Sequence, residues 1–424
     1  MRIMPSSANR HMEPVQSKNR PGNGRRNPIR ILVLSPGFPD PNDTSGSFYG
    51  GSFVLTEALA YSRAGAMVKV LTPHVPGLKK TEKISERFMI HRFRYFIPEK
   101  MQKIRIKKAP LYSREHLFPR VFQLPIFLGA FFFSMARFAT KADIIHANWT
   151  PLALLALPLQ FLLKVPVVVT YRGSDIRLIP DLINKFVFSK VAAVLHIWGD
   201  TGRGRLIKNK YPGNFVELPI ISRIAPEPPS NAFSNRKPGD PFGFAYIGRL
   251  ATVHNVPKGE DILIQAASIL RERHTNFVLH VLGDGPLRKA MEQKAKELHL
   301  ESLIRFHGYV RDIFPILDKC QCVVGGLALN AVAQEAASYR RLLIIADFSP
   351  LNGTIWKHRQ NALLYTPHDA KSMAEAMAFA MNHEKECKKI SLAGYETMRR
   401  YVVNIETGGK YYVKAFRKII AAYR

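Results

Sequence analysis

Cysteine, acidic side chains and uninterrupted apolar runs are all scarce in this 424-residue sequence. Three cysteines cannot build the framework of a disulfide-rich secreted domain. Cys320 and Cys322 stand one residue apart on an apolar stretch, with no His or Cys partners at zinc spacing, so they read as free thiols of a reducing compartment. No segment holds the roughly 18 to 20 consecutive apolar residues of a spanning helix, and the chain reads as non-spanning. Residues 1–28 end in Arg25-Arg26-Asn27-Pro28 and lack the apolar core of a secretory signal; they read as a basic, disordered tail. Acids number 32 against 62 Lys and Arg, a formal charge of +30. A field of that strength asks for an anionic partner: nucleic acid, an anionic membrane or a phosphorylated substrate. With no zinc-finger, RNP-type or helix-turn-helix signature, nucleic acid is set aside.

The positive charge is uneven. Residues 79–120 hold thirteen Lys or Arg against four Glu, with Phe88, Phe93, Tyr95, Phe96, Tyr112 and Phe118 interleaved, and the apolar run Leu124 to Phe133 follows. Basic and aromatic residues beside an apolar helix suit an anionic membrane surface. A basic surface loop leading into a buried core helix fits the same pattern.

What is present is an α/β chain, 46% hydrophobic and long enough for two or three domains. Ile29 to Ser35 is a strand of β-branched residues bounded by Pro28 and Pro36. A loop ending Gly50-Gly51 leads to Ser52, placed to cap a helix from Phe53 to about Ala64, and Met67 to Leu71 resumes a strand. The alternation recurs at Asp143 to His146, Val165 to Tyr171 and Ala192 to Ile197, which implies a parallel sheet covered on both faces. Proline, serine and charge between Arg223 and Asp240 mark a linker. A second series then opens with the strand Phe242–Ile247 and continues through a helix from about Gly259, the strand Phe277–Leu282, a helix Leu287–Leu298 and the strand Ile304–Phe306. The expected division is 29–222, linker 223–240, 241–404, and a helix over 405–424 crossing back to the first half. Two Rossmann-like halves place the default ligand site in a cleft between them.

Ligands of an open parallel sheet sit beyond the carboxyl ends of its strands. Tyr246-Ile247-Gly248-Arg249-Leu250 ends the first strand of the second half and Lys258-Gly259 opens its helix, so Arg249 and Lys258 fall where a phosphate would lie. Leu282-Gly283-Asp284-Gly285-Pro286 is a glycine-rich turn on the same edge, with Pro286 at the first helical position; a tight strand-to-helix turn explains its glycines without a ligand. Asn330 is placed to cap a helix running Ala331 to Tyr339, whose first amides would favour a phosphate oxygen. Glu335, one turn in, is near enough for ribose hydroxyls, or is simply a solvated helix Glu.

Taken in order, Tyr246 to Gly259, Gly283 to Arg288, Phe306-His307-Gly308, Glu335-Ala336-Ala337 and Asn361 to Pro367 with Asp369 resemble glycosyltransferase family 4. In the first half Gly50-Gly51, Asp143 to Ala147 and Arg172-Gly173-Ser174-Asp175 are similar too, so the resemblance runs from about Ile29 to the C-terminus. It implies the GT-B architecture, two Rossmann-like domains with parallel sheets facing across a cleft, and a retaining transfer of a sugar from a nucleoside diphosphate to an acceptor hydroxyl. By that resemblance Arg249 and Lys258 neutralise the donor diphosphate and Glu335 holds the ribose. Backbone at Asn330 and Ala331 contacts phosphate or sugar, Gly248 and Gly285 line the donor, and the Gly50-Gly51 loop approaches it from the other domain. No metal or other cofactor is expected, because two cations and helix amides stabilise the leaving group. The acceptor would be a glycan or lipid-linked hydroxyl of cell-surface polysaccharide, lipopolysaccharide or glycolipid synthesis, reached from the cytoplasmic side of a membrane. Three departures stand out. Leu327 occupies the first position of the family's usual glutamate pair. Arg172 replaces the His of its His-Gly-Ser-Asp. Seven residues, Ala251 to Pro257, separate Arg-Leu from Lys-Gly, a longer spacing than usual. A nucleotide-binding protein that has lost transfer is the alternative these departures leave open.

Overall fold

The computed structural model describes residues 27–40, 51–104, 117–171, 179–197, 202–222, 233, 236–237, 239–251, 259–325, 331–347 and 355–424. The first series comprises β1 (Arg30–Leu34), α1 (Ser52–Arg63), β2 (Met67–Pro73), β3 (Thr81–Ser85), β4 (Phe88–Phe93) and α2 (Leu117–Ala139). It continues with β5 (Ile144–Asn148), α3 (Thr150–Leu163), β6 (Val167–Thr170), α4 (Asp181–Lys190), β7 (Ala193–His196), α5 (Gly202–Lys210), β8 (Phe215–Glu217) and β9 (Ile220–Ile221). The second comprises β10 (Phe242–Ile247), α6 (Leu263–Arg271), β11 (Phe277–Leu282), α7 (Arg288–Glu297), β12 (Ile304–Gly308), α8 (Phe314–Leu317) and β13 (Cys322–Val324). After it come α9 (Ala331–Ser338), β14 (Leu342–Ala346), β15 (Leu363–Tyr365), α10 (Ala370–Asn382), α11 (Glu384–Met398), β16 (Val402–Val403) and α12 (Ile405–Tyr423).

The central strands β6 and β14 are buried along their whole length, as the continuous apolar runs VVVT and LLIIA require of strands covered on both faces. One sheet runs β3-β4-β2-β1-β5-β6-β7-β8, parallel except where β3 meets β4 antiparallel. The other runs β12-β11-β10-β13-β14-β15, parallel throughout. In the second sheet the order is the doubly wound 3-2-1-4-5-6, and it reverses between β10 and β13; the same reversal falls between β1 and β5 in the first. Loops leaving the carboxyl ends of those four strands therefore flank the two crevices where ligands of such sheets bind.

The chain's last helix, α12, packs on α1 of the first series, with Tyr412 and Phe416 each 5.4 Å from the Tyr61 ring. Gly409 allows the contact, since a Cβ there would stand 2.0 Å from the Ala60 carbonyl oxygen. Beside it β16 pairs with β9 in parallel, joining the end of the second series to the end of the first.

Several local expectations are corrected. Gly51, not Ser52, stands at the N-cap of α1, in the left-handed region (φ 85°), and Ser52 is the first helical residue. Helix α6 begins at Leu263, after a turn from Gly259, and α7 begins at Arg288, leaving Pro286 in the turn before it. The basic segment also differs from a surface loop over its first part, residues 105–116 lying outside the described residues. That first part is the β3–β4 hairpin, and Phe88, Phe93 and Tyr95 are core residues because they meet α2 or the sheet; the Phe93 and Phe131 rings lie 4.6 Å apart. Even its Arg92 is 1% exposed, Nη1 donating to Glu82 Oε2 at 2.9 Å. Within α2, Val121–Ala139 has a mean hydropathy of 1.5 and is long and apolar enough to cross a membrane by length and composition. Counting only unbroken apolar residues misses it, because Gln123, Ser134 and Arg137 interrupt the run. The three cysteines are buried free thiols, with burial pushing the Cys320 thiol up to about 12.

Candidate donor site at the carboxyl edge of the second sheet

The site is built from the turns that leave β10, β11 and β13. After β10 the chain continues as Gly248-Arg249-Leu250, which lies along the Gly283–Leu287 turn that follows β11. Gly248 N–H donates to Leu282 O at 3.0 Å, Leu250 N–H to Asp284 O at 3.0 Å, and Leu287 N–H to Leu250 O at 3.0 Å. This close approach accounts for two glycines: a Cβ at Gly283 would meet Gly248 O at 1.8 Å, and one at Gly285 would meet Leu250 O at 2.3 Å. Glycine at 285 is thus demanded by backbone packing. Arg249 is half-buried on this edge, while Arg288 is turned back along its own helix, Nε donating to Glu292 Oε1 at 2.7 Å.

Gly259, where the chain re-enters the described residues, has φ 95° and stands against the ends of two other strands. A Cβ there would lie 2.6 Å from Tyr365 Oη, 2.8 Å from Met373 Cε and 3.6 Å from Gly325 Cα. Gly259, which follows Lys258 in sequence, is therefore anchored at the crevice between β10 and β13. Tyr246 Oη donates to the buried Glu260 carboxylate at 3.2 Å. Burial, with Glu260 beside it, pushes the Tyr246 phenol far above its ordinary value, and burial with Asp261 and Glu260 does the same for Tyr365. Both phenols therefore stay protonated, and Tyr246 keeps the proton it donates to Glu260. These residues form the floor beneath Gly259, and sequence reading did not single out Glu260 or Tyr365; a carboxylate directly after Lys-Gly was the available signal.

Ala331 begins α9 and Glu335 lies half-buried in its second turn, so the helix starts just beyond the Gly325 end of β13. Across the molecule, Gly51 sits under Gly37, where a Cβ would meet Gly37 O at 2.3 Å, and its carbonyl accepts from Leu55 N–H at 3.0 Å. Gly50, Arg172, Lys258, Leu327 and Asn330 lie outside the described residues. The structure thus brings Gly248, Arg249, Gly285 and the start of α9 to one sheet edge, with Gly51 at the corresponding edge of the other sheet. On that second edge, Trp149 caps α3 with φ 80° and ψ 141°, a region that costs a non-glycine residue about 1–3 kcal/mol. Its ring is 5.5 Å from Phe53, an aromatic pair that no sequence pattern announced. Among the described residues no cluster of three or more His, Cys, Asp or Glu stands at metal-binding distance.

Residues 229–397 match the family model described as glycosyl transferases group 1. An uncharacterized glycosyltransferase of Methanocaldococcus jannaschii is 28% identical over 154 residues, 36% of this chain and 34% of that protein. EpsD of Bacillus subtilis is 23% identical over 167 residues, 38% of this chain and 42% of its own. The chain thus spans between a third and a half of the length of these curated relatives. Among solved structures, sucrose-phosphate synthase from Thermosynechococcus elongatus superposes with a TM-score of 0.69 at 19% identity, over 93% of this chain and 100% of that one. Anabaena HepE in complex with UDP and glucose does so with a TM-score of 0.61 at 15% identity, over 92% and 100%. Residues 229–397 therefore carry a glycosyl transferases group 1 domain, and the chain has the GT-B fold.

Proposed function

We propose that the chain is a glycosyltransferase that moves a sugar from a nucleoside diphosphate to an acceptor hydroxyl with retention of anomeric configuration. The observation that carries this reading is the anchoring of Gly248-Arg249-Leu250, and of Gly259 beside Gly325, at the switch point of a 3-2-1-4-5-6 sheet, inside the segment matched by the family model. Arg249 and Lys258 would neutralise the donor diphosphate, the first amides of α9 from Ala331, with Asn330 before them, would meet its oxygens, and Glu335 would hold the ribose. Gly283 and Gly285 let the two turns close, Gly248 and Gly285 would line the donor there, and the Gly50-Gly51 loop and Arg172 would reach it from the first domain. Leaving-group charge is met in this scheme by side-chain cations and helix amides, with no metal or other cofactor invoked. The binding of UDP and UDP-glucose by HepE supports a uridine nucleotide as the first donor to try. The acceptor would be a glycan or lipid-linked hydroxyl in cell-surface polysaccharide, lipopolysaccharide or glycolipid synthesis on the cytoplasmic side, with nucleic acid no partner.

The test is a thermal-shift panel of nucleoside diphosphates and their sugars followed by transfer assays. A ligand at a hundred times its dissociation constant stabilises by about 2.7 kcal/mol, so one base should stand out. If no nucleotide shifts the melt, the reading fails. If nucleotides bind but no donor turns over with any acceptor, the chain is a nucleotide-binding protein on this scaffold, the outcome that Leu327 and Arg172 favour.

A further inference from the structure

Helices α2, α3, α4 and α5 share one buried core, through Phe131, Ala153, Phe188 and Ile207, and so cover the same face of the first sheet. Their outer sides are apolar to an extent that a solvated helix layer is not. Phe122 and Phe133 of α2 are 71% and 74% exposed, Leu162 of α3 74% and Leu182 of α4 79%. Single exposed apolar residues are ordinary, but an apolar face shared by adjacent helices marks an interaction surface.

The charge on these helices has one sign. They carry two Lys or Arg on α2, none on α3, two on α4 and four on α5. Their one acid, Asp181, is tied by its Oδ2 to Lys210 Nζ at 2.6 Å. Around the end of α2, burial first and then the charges of Lys141 and Arg137 lower the Lys69 pKa, so cations there crowd one another. A second copy of this face would bring like charge against like charge. An anionic lipid surface would neutralise it, while the exposed Phe and Leu side chains enter the headgroup boundary.

Helix α2 is apolar enough to span, yet its inner side forbids it. Phe131, Met135 and Ala139 are fully buried in the domain core, and withdrawing the helix would strip Phe93 and Tyr95 of their aromatic partners. We propose that the outer face of α2, α3, α4 and α5 is a docking surface for an anionic phospholipid bilayer, the helices lying along the membrane plane with Phe122, Phe133, Leu162 and Leu182 immersed. This surface is independent of the donor chemistry and lies largely outside the basic segment 79–120.

The test is flotation of the full-length protein with phosphatidylcholine vesicles, with and without phosphatidylglycerol, at low and high salt. Wild type should float with the anionic vesicles only, and less at high salt. Phe161→Ser/Leu162→Ser/Leu182→Ser/Phe186→Ser changes only exposed positions on α3 and α4 and should weaken that association at least tenfold with the thermal melt preserved. If that variant does not fold, Lys185→Glu/Lys190→Glu should weaken it in the same direction. Absence of wild-type binding to anionic vesicles overturns the proposal, as does undiminished binding by the folded variants. Retention in carbonate-washed membranes would overturn it in favour of a spanning α2. A dimer in light scattering that the same substitutions abolish, without vesicle binding, would make the face a contact between copies.

Discussion

At the scale of single residues the phosphate assignment rests on position. Arg249 is held at the carboxyl end of β10 by the Gly248 and Leu250 hydrogen bonds to the turn after β11, so its backbone cannot drift away from the crevice. Arg249→Ala should remove a charge-assisted contact of about 1.5–3 kcal/mol and slow transfer at least tenfold, with the melt unchanged. Turnover equal to wild type in folded Arg249→Ala and Lys258→Ala would exclude both from the donor site. A second residue-scale expectation concerns His280, whose Nδ1 lies 2.8 Å from His307 Nε2. Burial, then His307, Arg305 and Lys319, lower the His280 pKa from 6.5 to about 4. Since the unfolded chain binds more protons across that interval, the neutral pair contributes full stability above pH 6.5 and loses it as pH falls toward 4. The melting temperature of wild type should therefore fall more steeply over that range than that of His280→Gln/His307→Gln. Parallel profiles would remove the pair from the acid response. Arg249 at a strand end and Glu335 in the first turns of a helix could be located from sequence because strand and helix ends are written locally in the chain. Trp149, Glu260 and Tyr365 could not, because their significance lies in which neighbours the fold sets against them.

At the scale of elements, periodicity located most strands and helices, since two-sided burial writes itself as continuous apolar runs such as VVVT and FVLHVL. The β3–β4 hairpin escaped because its edge strand alternates polar and charged residues, TEKIS, with exposure to match. Its aromatic neighbours then read as surface when they are core. The turn residues were legible as glycines but not in their reasons. Gly409 shows the reason directly: it is the point at which α12 meets the Ala60 carbonyl, and a methyl group there must push the helices apart. Gly409→Ala should destabilise by about 1–3 kcal/mol through overpacking, read as a lowered melting temperature with donor chemistry intact in the folded fraction. No change in the melt would mean that the α1–α12 contact is looser than the geometry has it.

At the scale of the whole molecule, α12 gives the last residues of the chain a place in the core of the first sheet. Tyr412 and Phe416 are fully buried there, and each large apolar side chain so placed contributes roughly 1.5–3 kcal/mol. Against a total stability of about 5–15 kcal/mol, removing residues 405–424 should leave the first sheet unable to unfold cooperatively, as calorimetry would show by the loss or broadening of its transition. An unaltered transition would show that the helix is dispensable. The amino-acid sequence by itself determined the alternation of strands and helices, hence the α/β class, and the chemistry placed at strand ends, because burial period and turn residues are local properties of the chain. Tertiary structure alone decided which aromatics are core, why glycine is required at 285 and 409, and that the outer sides of four helices form one apolar, cationic face. Those outcomes depend on what each surface meets across long separations in sequence, and no local pattern encodes the partner.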